Sequence, residues 1–67
     1  MGNERINAAI NDWVKEEGST AYLAGKLGVS TQELGLLMSG IHEWSWGQVC
    51  IVSRVTGSSP NRLAGIE

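Results

Sequence analysis

The chain has 67 residues, of which 42% are hydrophobic, and a formal net charge of −2. This apolar content argues against a disordered chain, and the acidic balance argues against a strongly basic nucleic-acid footprint. One Cys excludes an intramolecular disulfide, and one His without a Cys or Asp partner at ligand spacing argues against a metal site. A domain this small buries only about 60% of the surface that its unfolded chain exposes, so we expect marginal stability.

Targeting signals are not evident in the sequence. Residues 1–11 lack the basic start and apolar run of a secretory signal, and no apolar stretch approaches the ~20 residues that span a bilayer. These features predict a soluble cytoplasmic protein without a membrane partner, and the free Cys50 agrees with a reducing compartment. Because no linker, repeat or low-complexity stretch interrupts the chain, we expect one domain over 1–67.

Apolar residues recur with helical spacing between glycine breaks, which predicts five short helices. The first is expected over about 3–17, where Ile6, Ile10, Trp13 and Val14 fall on one face. Trp13 is expected to be the main aromatic residue of the core.

The second and third helices are predicted over about 20–27 and 31–39. Ser19 and Ser30 are suited to cap them, and Glu33 follows Ser30 at the spacing of a capping box. Six side chains of these two helices and of the loop that follows them are expected to face inward: Leu23, Ala24, Leu27, Leu34, Leu37 and Ile41.

A fourth helix is predicted over about 46–56, with Ser45 as its cap and Trp46 in the core. The run 49–52 would also suit a buried strand, but the length of the segment, its cap and the stop at Gly57 favour a helix.

A short fifth helix is predicted from a serine cap at Ser59 and a proline at Pro60, the first helical position. Leu63 and Ile66 would pack back on the core. Five helices with tight connections predict a compact all-α domain.

The stretch 20–39 has the pattern of two helices that cross at a steep angle. Ala24 is small enough for the helices to touch, Gly28 tolerates the positive φ that the turn needs, and Val29 fills the corner beneath it. Leu34 then anchors the second helix against the first. This combination is typical of a helix-turn-helix.

The chain resembles the Cro/CI-type, lambda-repressor-like helix-turn-helix family over nearly its whole length. The resemblance is best in L-A-G-K-L-G-V-S at Leu23–Ser30, and it continues through Leu34, Leu37 and the pair 39–40. Residues 52–63 resemble the family's fourth and fifth helices.

This resemblance implies a small sequence-specific DNA-binding regulator, of the kind found as phage repressors, that places its recognition helix, 31–39, in the major groove of an operator. Gln32 could pair bidentately with adenine. The positions that match base-reading sites are Thr31, Gln32, Gly35 and Leu36. Phosphate contacts are expected from Ser19, Thr20, Lys26, Ser39 and His42.

A homodimer is expected because a monomer with only five cations should bind DNA weakly. Two copies would bind half-sites about one helical turn apart on a pseudo-palindromic operator. Leu63 and Ile66, in the region of the fifth helix, form the candidate dimer surface, as in relatives.

The sequence also departs from the family. No Lys or Arg lies within 31–39, and Ile41, His42 and Glu43 follow Gly40 where the family often has a basic residue. The acidic balance and the apolar group Leu36, Met38 and Ile41 favour an alternative function. In it, an acidic protein-binding module keeps the fold, does not bind DNA, and antagonises or modulates a regulator or another host protein. The candidate protein-contact residues are Leu36, Met38, Ile41, Trp44, Leu63 and Ile66.

Three of the candidate site residues, Leu36, Trp44 and His42, keep more than one interpretation. Leu36 fits a groove contact and a protein contact about equally, and Trp44 fits a shield over the core, a contact with the DNA backbone or a dimer surface. His42 fits a loop residue near phosphate or one in solvent. An enzyme is not expected, because Cys50 has no base to form a catalytic pair, and neither a cofactor nor a small-molecule substrate is implied.

Overall fold

The computed structural model describes residues 3–16 and 18–65, and these form five α-helices without a strand. The predicted all-α, five-helix architecture is therefore confirmed, and 49–52 is helical. Glu17, at the predicted end of the first helix, and Ile66 lie outside the described residues. The helices are α1 (Asn3–Glu16), α2 (Thr20–Leu27), α3 (Thr31–Ser39), α4 (Trp46–Thr56) and α5 (Pro60–Leu63).

Serine caps set the starts of four helices. Each serine before α2, α3, α4 and α5 accepts a hydrogen bond through its side chain from the backbone N–H three residues later. Such a bond satisfies one of the backbone donors that a helix start leaves free, which explains why these boundaries are readable from sequence. The caps are Ser19, Ser30, Ser45 and Ser59.

The predicted capping box at Ser30 and Glu33 is only half formed. The Glu33 backbone N–H donates to Ser30 Oγ at 3.0 Å, but the Glu33 carboxylate bonds His42 instead of returning to the cap. The complete box lies at the start of α4. There the Ser45 N–H donates to Gln48 Oε1 at 2.9 Å, and the Gln48 N–H donates to Ser45 Oγ at 3.2 Å.

The core draws side chains from all five helices and from the loop before α4. Helix α4 packs against α1, α2 and α5, while α3 packs against α1 and α2. Burying this apolar surface is the main source of stability in a chain without a disulfide. The buried hydrophobic residues are Ile6, Ile10, Leu23, Ala24, Leu34, Leu37, Trp44, Val49, Val52 and Leu63.

Three predictions about large hydrophobic residues are wrong. Trp44 is the buried aromatic residue, at 4% exposed, whereas Trp13 is half-buried at the edge of the core. Trp46 is 45% exposed, and Ile41 is 69% exposed. The reason for Ile41 is that α3 ends at Gly40, where φ is 87°, so the inward spacing of α3 does not continue past it. Trp44, in the loop, fills the core where Trp46 was expected.

Candidate nucleic-acid interface

Helix α3 has one face in the core and one in solvent. Leu34 and Leu37 are 1% and 2% exposed, whereas Thr31, Gln32 and Gly35 are exposed. Leu36 is half-buried beside them. We define the α3 face as Thr31, Gln32, Gly35, Leu36 and Ser39. It is open at three of the four residues that were expected to read bases.

A hydrogen-bonded turn joins α3 to α2. Gly28 has φ 73° and ψ 28°, and its N–H donates to the carbonyl of Gly25 at 3.2 Å. The next N–H, that of Val29, donates to the carbonyl of Ala24 at 3.0 Å. Ala24 itself is 2% exposed. The left-handed conformation at Gly28 is costly for a residue with a Cβ, so the glycine permits the sharp exit from α2.

Two residues predicted to bind phosphate lie at the start of α2. Ser19 and Thr20 are both exposed, and the hydroxyl of Ser19 already accepts the N–H of Tyr22 at 3.1 Å. The start of a helix presents backbone N–H groups that favour an anion. At the other end of the α3 face, Ser39 Oγ donates to the carbonyl of Leu36 at 3.0 Å.

His42 and Glu33 form a hydrogen-bonded pair at the first turn of α3. Nδ1 of His42 lies 2.6 Å from Oε2 of Glu33, and the two side chains are 49% and 33% exposed. This contact ties the loop after α3 to the first turn of α3. Sequence reasoning missed it because the pairing depends on how the loop folds back across nine residues.

The α3 face contains none of the five Lys and Arg residues of the chain. Neither α3 nor the loop 40–45 contains Lys or Arg. Lys26, predicted to bind phosphate, has its ammonium 5.4 Å from the centre of the Tyr22 ring. It lines a groove together with Arg54, and no residue of α3 contributes to that groove.

The predicted set of protein-contact residues is largely dispersed. Trp44 and Leu63, at 4% and 2% exposed, belong to the core, so neither is on a surface that could contact a partner or a second copy. Met38 packs against the core, and its carbonyl accepts a hydrogen bond from Asn7 Nδ2 at 2.6 Å. Of the described members, only Ile41 is fully on the surface, while Leu36 is half-buried.

No family model, curated protein or solved structure matches this chain. Within 3–16 and 18–65, no helix is long and apolar enough to cross a membrane, and no cluster of three His, Cys, Asp or Glu side chains is arranged to hold a metal. Cys50 is free and half-buried.

Proposed function

We propose that this domain is a sequence-specific DNA-binding regulator, similar to Cro/CI-type repressors, that inserts α3 into the major groove. The observation that carries the proposal is the exposure of Thr31, Gln32 and Gly35 on a helix whose Leu34 and Leu37 are buried. A recognition helix needs this arrangement, because the face that reads bases must be solvent-exposed while the opposite face fixes its orientation.

The chemistry of the exposed residues suits base reading. The carboxamide of Gln32 can donate to and accept from the N7 and N6 edge of adenine, and the hydroxyl of Thr31 can bond a base or contact a thymine methyl with its own methyl. At Gly35 a Cβ would meet nothing within 4 Å, so the backbone itself can approach DNA closely there.

The neutral α3 face has a consequence for affinity. Phosphate contacts from Lys and Arg release counterions and supply most non-specific affinity. With no cation on α3 or in the loop 40–45, a single domain should bind DNA weakly and with a shallow salt dependence. Useful specificity then requires two copies on two half-sites.

Protein binding without DNA is the second candidate. It is favoured by the exposure of Ile41 and Trp46, at 69% and 45%, and by the lack of cations near the α3 face. Single exposed apolar residues are common on surfaces, and the larger patch expected from sequence has lost Trp44 and Leu63 to the core. DNA binding therefore has the better support.

Selection of duplexes from a random library at low salt tests the proposal. We expect a consensus with two related half-sites whose centres are separated by about one helical turn, roughly 10 base pairs. The recovered duplex should bind the wild-type chain more tightly than a scrambled duplex of equal length. If no duplex is enriched over the starting library, the proposal is wrong and protein binding becomes the leading candidate.

A further inference from the structure

A groove between α1, α2 and α4 combines aromatic walls with positive charge. It has a volume of about 620 Å³, and we call it the cationic groove; its lining residues are Trp13, Tyr22, Lys26, Ile51, Arg54 and Val55. These six residues come from α1, α2 and α4, and none of them is acidic.

The side chains of the cationic groove are available to a partner. Tyr22 is 54% exposed, and its ring centre lies 6.1 Å from that of Trp13. Lys26 and Arg54 have no carboxylate partner, because His42–Glu33 is the one salt bridge among the described residues. A groove with this lining favours an anionic segment that also carries large apolar side chains.

The same chain exposes such a segment between α3 and α4. Ile41 and Trp46 are, with Tyr22, the large hydrophobic residues that remain exposed in the described part of the chain, and Glu43 lies exposed between them. We call 41–46 the acidic segment, after Glu43, its one acidic residue. Its exposed apolar side chains and this carboxylate match the apolar and cationic groups of the groove in kind.

The acidic segment is held in place before any partner arrives. The N–H groups of Ile41 and His42 both donate to the carbonyl of Leu36, at 3.1 and 3.2 Å. Trp44 is buried, and the Ser45 N–H donates to Gln48 Oε1 at 2.9 Å. A segment that is already ordered loses little conformational entropy when it docks.

A copy cannot fill its own groove with this segment. The acidic segment meets α4 at Trp46, whereas Arg54 and Val55 line the groove at the other end of that helix. Trp46 and Arg54 are eight positions apart in α4, about 12 Å along the helix axis. The complementary surfaces must therefore meet between molecules.

We propose that this chain forms a homodimer in which the acidic segment of each copy docks in the cationic groove of the other. Used twice around a two-fold axis, the contact closes, so that both docking surfaces of both copies are satisfied. The α3 face contributes no residue to the groove. The dimer deepens the proposed function by supplying two recognition helices, but its test needs no DNA, so the two proposals can fail separately.

Sedimentation equilibrium with charge-swapped variants of the full chain tests this dimer. We expect the wild-type mass to rise reversibly from monomer towards dimer at concentrations up to about 1 mM, since contacts through a few side chains are weak. The variant Glu43→Lys and the double variant Lys26→Glu/Arg54→Glu should each associate at least about tenfold more weakly. Mixing these two variants should restore association, because basic segments then meet acidic grooves and acidic segments meet basic grooves.

Matched controls separate the docking contact from net charge and from misfolding. Lys15→Glu/Arg62→Glu makes the same charge change outside the groove and should associate like the wild type. Trp46→Ala removes an exposed side chain without a change in charge and should also weaken association. Restoration on mixing is possible only if both charge variants fold.

Several results would overturn the dimer. These are a wild-type chain that stays monomeric up to about 1 mM, a mixture that remains monomeric, or a control as weak as the groove variant. If the groove variant loses DNA affinity while its self-association is unchanged, the groove binds DNA phosphate instead of a second copy.

Discussion

The α3 face and the cationic groove divide the recognition chemistry of this small domain between them. The α3 face carries hydroxyl, carboxamide and apolar groups and no cation, whereas the groove holds Lys26 and Arg54 beside Trp13 and Tyr22. Positive charge attracts any polyanion, while directed hydrogen bonds discriminate between base edges. The separation teaches that charge and base reading need not share a surface.

The largest expected effect comes from removing a large side chain from the hydrophobic core. Trp44→Ala removes the buried aromatic residue that fills the core between α3 and α4, and should lower the free energy of unfolding by about 3–5 kcal/mol. In a domain of marginal stability that loss leaves much of the chain unfolded. Urea denaturation followed by circular dichroism measures it.

Trp46→Ala, two residues away, is the matched control. Because Trp46 is 45% exposed, its removal should cost less than about 1 kcal/mol. Equal losses for the two variants would mean that the burial of Trp44 does not stabilise the core as described.

Gln32→Ala removes the carboxamide of the α3 face and leaves the lining of the cationic groove unchanged. The loss of a bidentate contact should weaken binding to the selected duplex by about 1–3 kcal/mol and relax preference at one base position in each half-site. Fluorescence anisotropy against single-base variants of the duplex measures both effects. Asn11→Ala, at an exposed carboxamide on α1, should leave affinity unchanged; a similar loss there would argue against base reading by α3.

Gly28→Ala disturbs the turn between the helix that lines the groove and the helix that carries the α3 face. A Cβ at φ 73° should cost about 1–2 kcal/mol of folding free energy. Gly25→Ala, an exposed glycine within α2 where a Cβ meets nothing within 4 Å, should instead stabilise the domain by about 0.5–1 kcal/mol. Thermal unfolding of the two variants measures both changes in folding free energy. Changes of the same sign would contradict the expected cost of a Cβ at the positive φ of Gly28.

Gly35→Lys places a cation on the neutral face. The site is exposed and open, so the change should add about 0.7–1 kcal/mol of stability through helix propensity. Binding to non-specific duplex should strengthen, and the slope of log K against log salt should steepen by about 1. Gly47→Lys is the same change at another open helical glycine on α4, and it should leave the slope as it is.

Glu33→Gln gives the smallest effect. The partly exposed Glu33–His42 pair should contribute less than about 1 kcal/mol to folding, since exposed ion pairs are weak. Removal of a carboxylate beside the α3 face should strengthen DNA binding by a few-fold, roughly 0.5–1 kcal/mol, because Glu33 repels phosphate. Glu16→Gln, on the exposed side of α1, removes the same charge elsewhere and should change affinity less.

The helices were predictable from the sequence because their ends are set locally. Ser19, Ser30, Ser45 and Ser59 each cap a helix with a bond that spans three residues, and Gly28 ends α2. The outward positions on α3 were predictable for the same reason, since helical periodicity fixes which side chains share a face.

The loop and the groove could not be predicted in this way. Trp44 and Ile41 lie outside any helix, so no periodicity states which of them points inward, and the structure buries Trp44 and exposes Ile41. The bond from Glu33 to His42 and the convergence of Tyr22 with Arg54 depend on how the helices pack. Predicting these features requires the three-dimensional arrangement of the helices and loops.

The most direct test of the central claim is a titration of the selected duplex at several salt concentrations, with the wild-type chain and with Gln32→Ala. If the neutral α3 face reads DNA, the wild type will bind this duplex more tightly than a scrambled one. Its salt slope will be smaller than about 3 in magnitude. Gln32→Ala will lose about 1–3 kcal/mol of this preference without a change in slope. A steep slope with no preference between duplexes, unaffected by Gln32→Ala, would contradict the claim.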